Sequence, residues 1–237
     1  MATPSAPPVR VAVRLAAPTA ELEALAEPLL APEERVRRDR FLHDGARREY
    51  LVGRWLLRTT LAAELGADAA SLRFVENAHG ALSLPAPATL SFNLSHTKGL
   101  VAVATCDGHD VGVDVEDRLR RGRTTEIAHR FFAPAEVAAL RALPEEAQRD
   151  RFFAIWTLKE AYIKARGLGL ALPLATFAFD LDTDPGAVGL SLTPAARDDA
   201  TRWRFERRDP TPRHRLAIAA ATGSSPIDLD VVWCAGR

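Results

Sequence analysis

The hydrophobic period of this chain changes in the same order twice, and no other feature constrains the fold as much. Residues 46–65 carry Leu51, Trp55, Leu56, Leu61 and Leu65 at helical spacing, and Gly66 follows as a C-cap. Short aliphatic and β-branched runs come next, at 90–94, 100–105 and 111–116. Turn residues separate them: Thr97-Lys98-Gly99, then Asp107-Gly108-His109-Asp110. Links this short join antiparallel strands. A second helical stretch covers 145–166, closed by Gly167 and Gly169, and Pro173 prevents its resumption. Strand-like runs follow at 176–181, 189–192, 202–206, 215–221 and 227–232. The expectation is an α+β chain of two similar halves, 1–110 and 111–237, each built around one long helix. The echo lies in pattern and not in letters. Elsewhere, Val11, Val13 and Leu15 alternate as a strand, 19–30 reads as a helix, and 33–40 is a charged run. A further helix starts near Pro134, since proline suits a first helical position.

The 31 basic residues balance 31 acidic ones, which argues against a nucleic-acid-binding surface. Hydrophobic residues at 47% suffice for one or two cores, so disorder is excluded as the main state. Two cysteines, Cys106 and Cys234, make neither a disulfide framework nor a zinc site. The first ten residues lack the basic-then-apolar run of a signal peptide. No stretch nears ~18 uninterrupted apolar residues. A cytoplasmic protein without a membrane span is expected. Only three of the 31 basic residues are lysine, namely Lys98, Lys159 and Lys164. In a chain so rich in arginine, the position of each lysine carries information.

Alternation along Val111-Gly112-Val113-Asp114-Val115-Glu116 sends the valines to one face and Gly112, Asp114 and Glu116 to the other. The carboxylates then stand ~7 Å apart on one strand. Like charges that close favour a cation between them, or raise the pKa of one. Oxygen ligands suit Mg²⁺ or a similar hard ion. Gly112 would leave that face open to a ligand. The plainer alternative is an edge strand with a solvated polar face. On the second long helix, Trp156, Glu160 and Lys164 share a face at four-residue spacing. A surface ion pair would explain Glu160 and Lys164 alone. Phe, Ile, Trp and Tyr surround them, however, so Lys159, Glu160 and Lys164 read as a polar site on a largely buried helix. In Phe92-Asn93-Leu94-Ser95-His96-Thr97, Asn93 and Ser95 face one way and His96 ends the strand. These are donors for phosphate oxygens, or else a hairpin corner that bonds its own backbone. Three acids, two lysines and this donor group fit a metal-bridged phosphate ligand better than a Ser-His-Asp triad or a zinc enzyme. Neither GxGxxG nor GxxxxGK followed by Ser or Thr occurs.

In order, the chain shows Gly53-Arg54, FNLSH at 92–96, VGVDVE at 111–116, Phe131-Phe132 with Glu136, and WTLKEAYIKARGLGL at 156–170. This series resembles the 4′-phosphopantetheinyl transferases of the surfactin-synthetase-activating type, across residues 53–170 and in total length. The resemblance implies two pseudo-twofold-related α+β halves with coenzyme A in the cleft between them. The second half would hold the metal and dock the carrier. It implies Mg²⁺-dependent transfer of the 4′-phosphopantetheine arm to a serine hydroxyl of an apo acyl or peptidyl carrier protein, with release of adenosine 3′,5′-bisphosphate. On this resemblance Asp114, Glu116 and Glu160 would be the metal ligands, and Glu160, Asp114 and Lys164 the catalytic group. Asp114, Lys159 and Lys164 would lie beside the pyrophosphate of coenzyme A. Ser95 and His96, with Asn93 next to them, would hold its phosphates, the 3′-phosphate especially. Arg54 and Arg37 would contact it from the first half. The serine proton would pass to Glu160 or to a water positioned by the acids. The family implies a monomer.

One departure matters. Many relatives carry Gly-Lys-Pro after the first-half helix, whereas this chain reads His79-Gly80-Ala81-Leu82. His79, or backbone N–H groups at Gly80, would take the place of the absent lysine. The arginine loop at 118–123 reads either as a solvated linker or as a docking surface for an acidic carrier. Two other functions share this inventory: a non-catalytic scaffold that binds coenzyme A or a carrier, and a Mg²⁺ pyrophosphatase acting on coenzyme A-like nucleotides.

Overall fold

The alternating Val11, Val13 and Leu15 form part of β1 (Val9–Ala16) in the computed structural model, which describes residues 6–122, 124–182 and 187–236. α1 (Ala20–Ala26) starts at Thr19, whose hydroxyl oxygen accepts from Leu22 N at 3.3 Å. The charged run becomes α2 (Pro32–Arg38), with proline at its first position. α3 (Asp44–Leu65) is the first long helix, and it ends where Gly66 turns left-handed at φ 62°. A small ribbon follows, β2 (Val75–Glu76) with β3 (Leu82–Ser83). Then come β4 (Leu90–Thr97), β5 (Leu100–Asp107) and β6 (Val111–Asp117). α4 (Thr124–Phe131) was not expected from the sequence; α5 (Pro134–Ala142) and the long α6 (Glu145–Ala165) were. The last third holds β7 (Phe177–Asp180), β8 (Gly189–Leu192), β9 (Arg204–Arg208), β10 (His214–Ala220) and β11 (Ile227–Trp233).

The echo in the sequence is an echo of topology. In the first half a strand, a long helix and an antiparallel hairpin give β1-β5-β4. In the second half the same series gives β6-β10-β9. β11 breaks the sequence order: it lies in the second half of the chain but pairs in parallel with β1, as the outer strand of the first sheet.

Burial explains the layering. Val11, Val13 and Leu15 of β1 and Leu100, Ala102 and Ala104 of β5 meet Val111, Val113 and Val115 of β6 and Leu216 and Ile218 of β10 in one central core. Each sheet therefore buries one face against the other sheet and its opposite face under its own long helix. Leu56, Leu57 and Leu61 of α3 pack on Val101 and Val103 of β5. Leu158, Ala161 and Tyr162 of α6 pack on Ala217 and Ala219 of β10. These helix leucines are fully buried, so truncating one to alanine costs about 2–5 kcal/mol. Among the described residues no helix is long and apolar enough to cross a membrane.

Two edge strands meet where the halves join. Along its free edge β6 offers the N–H groups of Val113, Val115 and Asp117. Alternate side chains of β4 accept them: Asn93 Oδ1 at 3.3 Å, Ser95 Oγ at 3.2 Å and Thr97 Oγ1 at 3.3 Å. Side chains thus do here what a neighbouring backbone does inside a sheet.

Candidate active site

β6 sends its valines into the central core and turns Asp114 and Glu116 the other way, toward α6. Gly112 does not leave that face open, as its sequence context suggested. A Cβ there would stand 2.5 Å from Ala165 N and 2.9 Å from its Cβ, and closer still to Ala161 O. The glycine instead lets the α6 backbone approach β6.

Asp114 is buried. Its Oδ1 accepts from Lys164 Nζ at 2.6 Å and from the Ser95 hydroxyl at 2.9 Å, while its Oδ2 is buried with no hydrogen-bond partner among the described residues. Glu116 Oε1 accepts from Trp156 Nε1 at 2.8 Å, and Arg120 Nε stands 3.5 Å from Oε2. Burial, and then the charge of Asp114, push the Glu116 carboxyl up to about 7. Burial and Asp114 also raise Glu160 above the ordinary carboxyl range. Among the described residues no hydrogen bond or ion pair occupies the Glu160 carboxylate. Asp114 is therefore the centre of a coupled acid group contributed by one strand and one helix.

The fit to a metal is one of chemistry and not of a finished cage. Among the described residues no three His, Cys, Asp or Glu groups already converge as a metal site. The donors are nonetheless all carboxylate oxygens, one of them is a buried orphan, and two of the acids are held above their ordinary range by burial and like charge. A hard divalent cation would satisfy the orphan and relieve the repulsion.

Lys164 faces a second feature. A cavity of about 270 Å³ opens between the halves, along the outer edge of β4 and between α3 and the end of α6. Arg37, Arg54, His79, Gly80, Asn93 and Lys164 all line it. The Arg37 and Arg54 guanidiniums lie 5.7 and 5.2 Å from the centre of the Tyr50 ring. Arg54 Nε is buried with no hydrogen-bond partner among the described residues, and Glu34 stands 3.6 Å from the other end of that guanidinium. Two arginines and a lysine around one cavity would suit an anion. Ser95 and His96 are not among its lining residues. Ser95, expected at a phosphate, is buried, and its oxygen serves Val115 N, Lys164 Nζ and Asp114. His96 stands 3.4 Å from Glu49 on α3.

Residues 110–221 match the 4′-phosphopantetheinyl transferase superfamily. A 4′-phosphopantetheinyl transferase of Bacillus subtilis is 34% identical over 81% of this chain and 82% of its own. The transferase Sfp of Bacillus subtilis strain 168 is 30% identical, over 86% of this chain and 87% of its own. HetI of Nostoc is 36% identical over 65% and 66%. This chain belongs to the 4′-phosphopantetheinyl transferase superfamily. It is a transferase enzyme.

Within the transferase the neighbouring lysines part company. Lys159, expected beside the pyrophosphate, is 0% exposed and sits in the core. Its ammonium pairs with Glu136 Oε2 at 2.8 Å and donates to Leu174 O at 2.8 Å and Phe177 O at 2.6 Å. The Phe177 ring lies 4.2 Å away. All three ammonium protons have partners, so none remains for a ligand. Burial lowers this lysine to about 8 and raises Glu136. Glu136 also accepts from Phe179 N at 2.8 Å and caps α5 by accepting from Ala133 N at 2.9 Å. The signal for this pair was present in the Phe-Phe-Glu spacing, but periodicity does not say which charges meet. Arg58 was missed altogether. It is buried, bonds Glu34 Oε2 at 3.0 Å and ties α3 to the carbonyls of Ala69 and Leu72. The arginine loop of the transferase is partly anchored. Arg118 pairs with Asp150 at 2.8 Å, and Arg149 donates to the carbonyls of Arg118 and Arg120. Arg123 lies outside the described residues.

Proposed function

We propose that this transferase moves the 4′-phosphopantetheine arm of coenzyme A onto a serine hydroxyl of an apo acyl or peptidyl carrier protein, with Mg²⁺, releasing adenosine 3′,5′-bisphosphate. The observation that carries the reading is the position of Lys164. It joins a cavity lined by Arg37 and Arg54 to an acid group whose central carboxylate keeps a buried orphan oxygen. On this reading Arg37 and Arg54 bind anionic groups of the coenzyme, and His79, Gly80 and Asn93 wall its site. Lys164 reaches the pyrophosphate. The serine oxygen attacks the phosphorus that bears the pantetheine arm, and the bond from that phosphorus to the adenosine bisphosphate oxygen breaks. The serine proton passes to the Glu160 carboxylate, on which no hydrogen bond or ion pair lies among the described residues, or to a water positioned by the acids. Asp114, Glu116 and Glu160 would hold the metal ion, which when bound offsets charge on the pyrophosphate.

The test is a panel of apo carrier proteins from fatty acid, polyketide and nonribosomal peptide systems, incubated with coenzyme A and Mg²⁺. The expected result is a mass gain of one phosphopantetheine on at least one carrier. No gain across the panel refutes the activity. Transfer that survives exhaustive chelation refutes the metal assignment alone.

A further inference from the structure

One wall of the coenzyme cavity belongs to the β2–β3 ribbon, whose strands are two residues each. A ribbon this short does not hold its own shape in water. Beside the backbone bonds from Asn77 N to Ala81 O at 2.9 Å and from Gly80 N to Asn77 O at 3.0 Å, one side chain braces it. Asn77 Oδ1 accepts from His79 N at 2.8 Å and Ala81 N at 3.0 Å, which shapes the turn. Its Nδ2 donates to Gly167 O at 2.9 Å, across the cleft on the other half. The receiving loop turns on two glycines in the left-handed region. Gly167 has φ +61°, and a Cβ there would sit 3.4 Å from Asn77 Nδ2. Gly169 has φ +53°, and a Cβ there would sit 3.8 Å from His79 O. Residues from both sides of this bridge, His79 and Gly80 on one and Gly167 and Gly169 on the other, line the same cavity.

We propose that Asn77 is a positioning residue that clasps the first-half ribbon to the Gly167 loop and so fixes one wall of the coenzyme site. The inference rests on the reading that this cavity takes coenzyme A. Asn77 touches neither the acids nor Lys164 through any described hydrogen bond, so its loss affects coenzyme binding and not the chemical step.

Asn77→Asp separates the two roles of the side chain. It keeps acceptors for His79 N and Ala81 N and removes the donor to Gly167 O. Asn77→Ala removes both. Amide exchange over 75–83 and steady-state transfer kinetics are measured for each, at low and at high salt. The clasp predicts faster exchange in both variants and a rise in KM for coenzyme A of about 3–10-fold, the range of one lost hydrogen bond. It also predicts kcat within about twofold of the parent and no change in thermal midpoint. The KM rise persists at high salt, where an effect of the added aspartate charge is screened. Unchanged exchange or unchanged KM in Asn77→Asp overturns the proposal, as does a KM rise that disappears with salt. An unmodified chain that transfers to no carrier overturns the coenzyme reading instead, and the exchange data still decide whether the clasp exists.

Discussion

Replacing Lys159 by methionine separates a structural lysine from a ligand-binding one. Methionine fills most of the volume but removes the charge and three donors. Glu136 would be left buried beside no cation, and the carbonyls of Leu174 and Phe177 would lose their donor. Breaking one partner of a buried pair costs about 3–5 kcal/mol, because the remaining charge stays desolvated. For a chain of this size that corresponds to a fall in thermal midpoint of roughly 6–20 °C. Glu136 retains the N–H groups of Phe179 and Ala133, so the cost should fall near the lower figure. Urea unfolding at pH 7 measures the loss, and titration of the folded variant with coenzyme A measures affinity. Lys159→Met combined with Glu136→Gln should recover part of the loss, since it removes the orphaned charge. An unfolding free energy within about 1 kcal/mol of the parent, together with a tenfold loss of coenzyme affinity, would refute the argument. The ammonium would then be serving the ligand.

Asp114→Asn and Glu160→Gln should each lower kcat by about 100-fold or more in the carrier assay while leaving the fold intact, because both sit at the acid group and neither packs the core. Glu116→Gln should separate stability from activity. The folded state raises this carboxyl from 4.5 to about 7, so the fold holds the proton more tightly than the unfolded chain does, and stability falls as pH rises between those values. The variant should therefore unfold at up to about 3 kcal/mol higher free energy than the parent at pH 8, with the gap closing toward pH 4.5, and should lose transfer. Asp117→Asn has the opposite sign. Arg213 bonds this carboxylate at 2.9 and 2.5 Å and holds it below its ordinary 3.8. Its contribution is present above pH 3.8 and is lost as pH falls through the lower folded value, so parent and variant should differ at neutral pH and converge in strong acid.

Periodicity carried most of the fold because the two periods report directly on which face meets apolar surroundings. The Val-Gly-Val-Asp-Val-Glu run gives the burial of three valines and the common direction of the acids without further information. Gly66 and Gly167 mark helix ends for the same local reason, since both adopt positive φ. α4 escaped notice because it follows an arginine loop without a strong start signal. The parallel return of β11 to β1 was not legible either. Nothing local in 227–233 distinguishes a strand that stays with its neighbours from one that crosses the molecule.

The sequence by itself determined most of the elements, the direction of Asp114 and Glu116 along one strand, and part of the cleft lining, with Arg37, Arg54, His79 and Lys164. The tertiary structure alone decided their roles. Lys159 and Lys164 are five residues apart on α6, which turns them about 140° from each other around the helix. That rotation puts one ammonium in the core against Glu136 and the other in the cleft against Asp114. Likewise Ser95 has the same hydroxyl in either reading, but the free edge of β6 lies against it and takes that oxygen for Val115 N. A residue type limits which bonds are available, and only packing determines which partner is within 3 Å.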